Sequence, residues 1–214
     1  MWQWVGRVRR RFRDAAEATR VESAFNSGLV AKQKGLLRQA EEYLRSAADA
    51  GHSRAMRNLA IVLIETGRRE EAESWLRRAV ETGGETTAMH NLACLLYESE
   101  RAEEAEQWWR RAAEKGDFES MYSLGILLGR SERMAEAERW YRRAADGGHL
   151  DAMCGLGILL AKSERTTEAE RWWRSAAEKG HFDATVNLGN LMTRTGRVGE
   201  AAVWRRRAAE LDPS

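Results

Sequence analysis

One helix is written six times along this chain. "QAEEYLRSAADAG" begins at Gln39, "EAESWLRRAVETGG" at Glu71, "EAEQWWRRAAEKG" at Glu104, "EAERWYRRAADGG" at Glu136 and "EAERWWRSAAEKG" at Glu168, with a worn copy, "EAAVWRRRAAELD", at Glu200. The aromatic that marks each copy (Tyr43, Trp75, Trp108, Trp140, Trp172, Trp204) recurs at spacings of 32, 33, 32, 32 and 32 residues. A period of this size is the signature of a stacked repeat architecture, and it limits the fold more than any other property. The one extra residue falls at Gly83-Gly84, in a turn, where insertions are best tolerated.

Each copy has a first half as well. It reads "RAMRNLAIVLIETGR" from Arg54, "TAMHNLACLLYESER" from Thr87, "ESMYSLGILLGRSER" from Glu119, "DAMCGLGILLAKSER" from Asp151 and "DATVNLGNLMTRTGR" from Asp183, with an earlier relative at Glu22. Both halves carry helical periodicity: Met121, Leu124 and Leu128 share a face in one, Ala137, Tyr141 and Ala144 in the other. Pro213 is the only proline, and no segment alternates like a strand, so an all-α chain follows. Gly67, Gly196 or Ser-Glu-Arg marks the turn inside a copy. Gly51, Gly83, Gly116, Gly148 and Gly180 mark the turns between copies and suit a left-handed helix stop.

A hairpin of two short helices cannot bury its own apolar face, whereas stacked hairpins bury each other's. Small residues at Ala60, Ala93, Gly125, Gly157 and Gly189, and the Ala-Ala pairs beginning at Ala112, Ala144 and Ala176, stand where helices must approach closely, with Leu59, Leu92, Leu124, Leu156 and Leu188 beside them. Trp109 and Trp173 are expected in the core, with Trp108, Trp140 and Trp172 partly exposed between second helices. The expected fold is a right-handed α-solenoid of about six helix hairpins with a period of about 32 residues. It occupies residues 21–214 as one repeat domain, preceded by a basic amphipathic segment, 1–20.

The combination Leu124-Gly125, Ala137, Trp140-Tyr141, Ala144-Ala145 and Gly148 resembles the Sel-one-like branch of the tetratricopeptide repeats, and the resemblance covers roughly residues 22–210. The copies are shorter than usual for the family. Ser27 replaces the leucine of the first copy and Arg205 the aromatic of the last, which suits terminal capping units. The resemblance implies that the first helices line a concave face and that the chain binds proteins rather than catalysing a reaction.

The chemistry-bearing residues agree with that. Glutamate stands four residues before arginine at Glu73/Arg77, Glu106/Arg110, Glu138/Arg142 and Glu170/Arg174, the favoured helical pairing, and gives a self-neutralised, solvated face rather than a catalytic carboxylate pair. His52, His149 and His181 hold the same place after the closing glycine of successive copies, too far apart to share one metal, and read as turn residues. No nucleophilic triad or phosphate loop is present, and neither a cofactor nor a metal is expected. Cys94 and Cys154 lie at non-equivalent places and read as thiols of a reducing cytoplasm. The bias of 30 arginines against 5 lysines points to a high-GC bacterial source.

On a repeat protein, recognition is sought where copies diverge. By register, the residues expected on the concave face include Asn26, Arg57, Asn58, His90, Asn91, Tyr97, Tyr122, Asn187 and Asn190. A row of amides offers donors and acceptors together and suits the backbone of a peptide or helix from a partner protein. The basic clamp by which some tetratricopeptide domains hold a terminal carboxylate is not matched: Arg57 and Asn91 are its only remnants, and Glu119 and Ser123 stand where basic groups would be needed.

Residues 1–13 carry five arginines and no acid, leaving 30 basic and 33 acidic residues elsewhere, so the overall charge of +2 comes from the tip. A nucleic-acid groove along the body is therefore not expected. Trp2, Val5, Val8 and Phe12 share one helical face with Trp4 beside them, and Arg7, Arg10 and Arg11 occupy the rest. Such a segment either caps the first hairpin or meets an anionic membrane surface or an acidic partner. A cytoplasmic scaffold or adaptor, peripheral to the inner membrane if that segment anchors it, is the resulting expectation. The alternatives are a membrane-associated scaffold and a self-assembling structural solenoid.

Overall fold

The computed structural model describes the backbone of residues 2–211 and the side chains of residues 14–211. Among these there are twelve α-helices and no strand, arranged as an all-α repeat solenoid. The chain divides into two compact units, Met1–Trp108 and Trp109–Ser214. The first contains α1 (Trp2–Gln33), α2 (Leu37–Asp49), α3 (Ser53–Glu65), α4 (Arg69–Gly83), α5 (Thr86–Glu98) and the start of α6 (Ala102–Glu114). The second contains the end of α6, then α7 (Phe118–Arg130), α8 (Met134–Asp146), α9 (Leu150–Lys162), α10 (Thr166–Glu178), α11 (Phe182–Arg194) and α12 (Val198–Leu211). In both units odd- and even-numbered helices pair as hairpins, and the second helix of one hairpin packs on the first helix of the next.

Most first helices begin on a side-chain cap. Asp117 accepts the N–H of Ser120 at 2.8 Å, and His52, His149 and His181 do the same through Nδ1 for Ala55, Ala152 and Ala184, each at 3.1 Å. The turn inside each hairpin is a Schellman stop: the N–H of Arg68, Arg101, Arg133, Arg165 or Arg197 reaches back five residues, at 2.8–3.0 Å, to a carbonyl of the first helix. This stop requires one residue in the left-handed region. Gly67 and Gly196 supply it at φ of 80° and 74°, but Glu100, Glu132 and Glu164 supply it elsewhere at φ of 59–62°. A side chain there costs about 1–2 kcal/mol relative to glycine, and nothing in the structure explains the glutamates.

The expected stop at Gly83 is displaced by one residue. α4 runs through Gly83, and Gly84 takes the left-handed conformation at φ 59°, so the extra residue of this copy is absorbed by a longer helix. Gly83 is small for another reason: a Cβ there would lie 2.8 Å from Ser53 Oγ.

The core follows the repeat register. Leu59, Leu92, Leu124, Leu156 and Leu188 are fully buried, as are the alanines of the paired second helices. A Cβ on Gly125 would lie 2.6 Å from Tyr141 Cε1, and one on Gly157 would lie 2.4 Å from Trp173 Nε1. Trp173 is held there, because its indole N–H donates to the Cys154 carbonyl at 3.1 Å. Gly28 continues the series, 2.6 Å from Leu44 Cγ by the same measure. The close approach expected at Gly189 is not found: a Cβ there meets only ordinary contacts, 3.6 Å from Arg205 and Trp204. The aromatic that fills the space in other copies is Arg205 in this one, and it turns outward to Thr193 Oγ1 at 2.9 Å. Trp109 and Trp173 are buried, whereas Trp108, Trp140 and Trp172 are half-buried.

The glutamate–arginine pairs of the second helices do more than neutralise their own helix. Glu138 accepts from Arg142 at 2.7 Å and from Arg165 of the next turn at 2.8 Å, while Arg165 and Arg142 both reach Glu168, at 2.8 and 3.6 Å. Two carboxylates and two guanidinia thus alternate in a ring that joins consecutive copies. The same ring forms from Glu41, Arg45, Arg68 and Glu71, from Glu73, Arg77, Arg101 and Glu104, and from Glu170, Arg174, Arg197 and Glu200. Partial burial works against ionising Glu73, Glu138 and Glu170, but their paired arginines outweigh it and hold these carboxyls below the usual range.

α1 is one uninterrupted helix from Trp2 to Gln33. The segment before residue 21 therefore extends the first helix instead of folding back over the first hairpin as a cap. Trp2, Trp4, Arg7, Arg10 and Arg11 have side chains outside the described residues.

Candidate partner-binding face

In the first unit, Arg57, Asn58, His90, Asn91 and Tyr97 are half-buried on α3 and α5, and Asn26 is exposed on α1. These polar groups do not form a uniform row. The Asn58 amide donates to the Arg54 carbonyl of its own helix at 2.8 Å. Arg57 lies 3.8 Å from the Glu85 carboxylate, and His90 Nε2 lies 3.3 Å from Cys94 Sγ. Asn91 makes no side-chain hydrogen bond among the described residues. Phe25, next to Asn26 on α1, is buried, stacked on His52 at 4.5 Å with the Arg54 guanidinium 4.9 Å from its ring.

In the second unit, Tyr122 of α7, Gly155 and Ile158 of α9, and Val186 and Asn187 of α11 line a cavity of about 240 Å³, with Cys154 at its base and Asp151, His181 and Asp183 around it. Tyr122 stacks on His149 at 5.2 Å and tilts against Tyr141 at 6.0 Å. Burial raises its hydroxyl above the ordinary range, and the neighbouring Asp151, Cys154, Asp183 and Glu119 add to the shift, so the phenol stays a hydrogen-bond donor. Cys154 is buried and its thiol is pushed up to about 11, so it is no nucleophile at neutral pH. Asn187 donates to its sulfur at 3.5 Å. Asn190 is exposed. Neither cysteine is in a disulfide.

His52, His149 and His181 have both ring nitrogens in use. Nδ1 of each caps its helix, and Nε2 faces a carboxylate of the preceding copy: His52 to Glu22 at 3.1 Å, His149 to Glu119 at 3.2 Å, His181 to Asp151 at 2.9 Å. Accepting at Nδ1 and donating at Nε2 is the work of the neutral Nε2–H tautomer. Register reading had passed over the acids themselves. Glu119, Asp151 and Asp183 recur every 32 residues in the first turns of α7, α9 and α11, and that spacing was the available signal.

Models of the tetratricopeptide repeat match residues 31–93, 86–115 and 154–214, and a model of the Sel1 repeat matches 118–149. The chain is a tetratricopeptide-like repeat protein near the Sel1 branch. Solved structures share this fold. One is c5321, a protective antigen of uropathogenic Escherichia coli strains displaying an SLR fold, with TM-score 0.74 and 25% identity over 92% of this chain and 47% of that one. This tetratricopeptide-like chain therefore spans about half the length of that relative. PilF of Pseudomonas aeruginosa gives 0.76 at 20% identity, over 93% and 95% of the two chains. YrrB, described as a TPR protein with an unusual peptide-binding site, gives 0.58 at 22% identity, over 82% and 95%. No curated protein matches this chain. Among the described residues of the repeat protein, no helix is long and apolar enough to cross a membrane, and no group of three or more histidine, cysteine, aspartate or glutamate side chains is arranged to hold a metal.

Proposed function

We propose that this protein is an adaptor that holds a peptide or helix of a partner protein against its first helices. Its repeat class indicates a protein-interaction scaffold. The finer assignment rests on the cavity formed by Tyr122, Ile158, Val186 and Asn187, where a half-buried ring, apolar side chains and an amide converge on about 240 Å³ of space. The neighbouring second-helix face supports this choice by contrast, since its charges are already closed into rings. Tyr122 serves as the anchor, and Asn91, Asn187 and Asn190 offer hydrogen bonds to a partner backbone. Asn58, with one amide N–H held by the Arg54 carbonyl, contributes its amide oxygen and its second N–H.

The test is titration of a partner, isolated with the intact protein, against variants of each face. Tyr122→Ala weakens binding at least tenfold and Asn91→Ala about threefold, whereas Arg142→Glu leaves it nearly unchanged. Normal binding by Tyr122→Ala together with loss in Arg142→Glu would move the function to the second helices. Loss on removal of residues 1–13 alone would move it to the basic tip.

A further inference from the structure

The first hairpin leaves a slot that every later hairpin fills. A groove of about 990 Å³ runs between α1 and α2, lined by Glu22, Ser27 and Val30 of α1, by Lys34 and Leu36 of the turn that follows it, and by Tyr43 of α2. One period downstream the corresponding residues are inside the protein. Val62 is 0% and Trp75 8% exposed, whereas Val30 is 50% and Tyr43 45% exposed. Leu59 and Ala55 are fully buried, and their counterparts are Ser27 and Ser23. The groove is thus the place where a preceding repeat would lie. Among the described residues nothing covers it, since α1 runs as one helix from Trp2 to Gln33.

We propose that this slot is a dimer interface, in which two copies pair through α1 and α2 about a two-fold axis with their α1 helices antiparallel. The stripe along α1 is self-complementary. Glu22, Asn26, Val30 and Lys34 follow at four-residue spacing on one face. Antiparallel pairing centred at residue 28 sets Glu22 against the partner's Lys34 at one end and Lys34 against the partner's Glu22 at the other. It also packs each Val30 near the centre, while Leu36 and Tyr43 flank the paired helices. A two-fold interface requires such a surface, since each patch meets itself. The serines at 23 and 27 make the face more polar than a permanent core, as suits association between folded copies.

A head-to-tail assembly fits less well. Within the two units charged rings close four junctions, but the ring positions at the two ends are Ala202 and Arg206 on α12 and Leu36 and Gln39 on the first hairpin. Those four residues leave Arg206 facing no carboxylate.

Sedimentation velocity of the full chain tests the pairing. The wild type is expected to form a dimer and nothing larger. Val30→Glu and Lys34→Glu each raise the dissociation constant at least tenfold, with the circular dichroism spectrum of the folded chain unchanged because both sites are exposed on the single chain. The decisive arm uses the charge swaps E22K and K34E. Each alone opposes like charges at both ends of its own dimer and dissociates, but an equimolar mixture of the two pairs opposite charges at both ends and restores the dimer. A wild type that stays monomeric overturns the proposal and leaves the slot to a helix of another protein. Growth beyond two copies overturns it in favour of head-to-tail assembly. A dimer indifferent to Val30→Glu, or swaps that fail to rescue each other, also overturns it.

Discussion

First and second helices pair in the same hairpins and are mostly thirteen residues long, yet they differ in what they repeat. The second helices repeat almost every position, and their charges close into rings, as at Glu138, Arg142, Arg165 and Glu168, that tie one copy to the next within each unit. The first helices repeat only what they bury. Leu124 and Leu156 agree, but the register position of Tyr122 is His90, Cys154 and Val186 in other copies. A residue shared by every copy answers a packing need that every copy has, whereas one that changes answers something met only once. Recognition is accordingly sought on the first helices and cohesion on the second.

The comparison breaks most readily at the glycines where the two kinds of helix touch. Gly157→Leu drives a side chain into Trp173, which is buried and hydrogen-bonded, and should cost about 3 kcal/mol in urea denaturation. Gly189→Ala should instead stabilise, by up to about 1 kcal/mol, because Arg205 has vacated the space and alanine favours helix. If both behave alike, the divergence of the last copy has no packing consequence.

Next in size is the anchor. Tyr122→Ala should lose about 2 kcal/mol of partner affinity with little change in melting temperature, while Arg142→Glu should do the reverse. A shared loss of stability and affinity in both would erase the distinction between the two faces.

The caps test whether the histidines serve structure or recognition. His149→Ala should cost about 1 kcal/mol of stability and His149→Asp should recover most of it, since aspartate caps the equivalent helix at Asp117. Failure of aspartate to recover the loss would assign the weight to the Tyr122 stack instead.

The rings predict a pH and salt dependence. Glu73, Glu138 and Glu170 bind protons less readily folded than unfolded, so their contribution is fully present above the unfolded value near 4.3 and is lost as pH falls through the lower folded one. Thermal melts should show the loss as pH falls below the unfolded value, and Arg165→Ala should reduce it. High salt should weaken the same contribution, because the arginines are partly exposed. The smallest effect belongs to the hairpin turn. Glu132→Gly should stabilise by less than about 1 kcal/mol, since relief at φ 59° is offset by the freedom glycine gives the unfolded chain.

Much of the molecule was legible because helix periodicity is local and six copies repeat the same message. The hairpins, the buried leucines, the core places of Trp109 and Trp173 and the half-exposure of Trp140 and Trp172 all follow from register. Single-copy details were less legible. Gly83 and Gly84 were indistinguishable as helix stops until the length of α4 was known. Gly189 matched the glycine pattern, but its meaning depended on a residue sixteen positions away, Arg205. On the candidate face, register named Asn58 and Asn187, but not that their amides point to Arg54 and Cys154, because side-chain partners depend on rotamers and neighbours.

The sequence by itself determined the repeat, the all-helical class and the division between conserved core and variable face, since each rests on a pattern within one helix or between identical copies. Only the tertiary structure decided which charges close into rings, which nitrogen of each histidine caps a helix, and that the slot on the first hairpin stands open. Those outcomes depend on atoms roughly 30 residues apart in sequence coming within hydrogen-bond reach, or on the absence of a neighbour, and a linear pattern records neither.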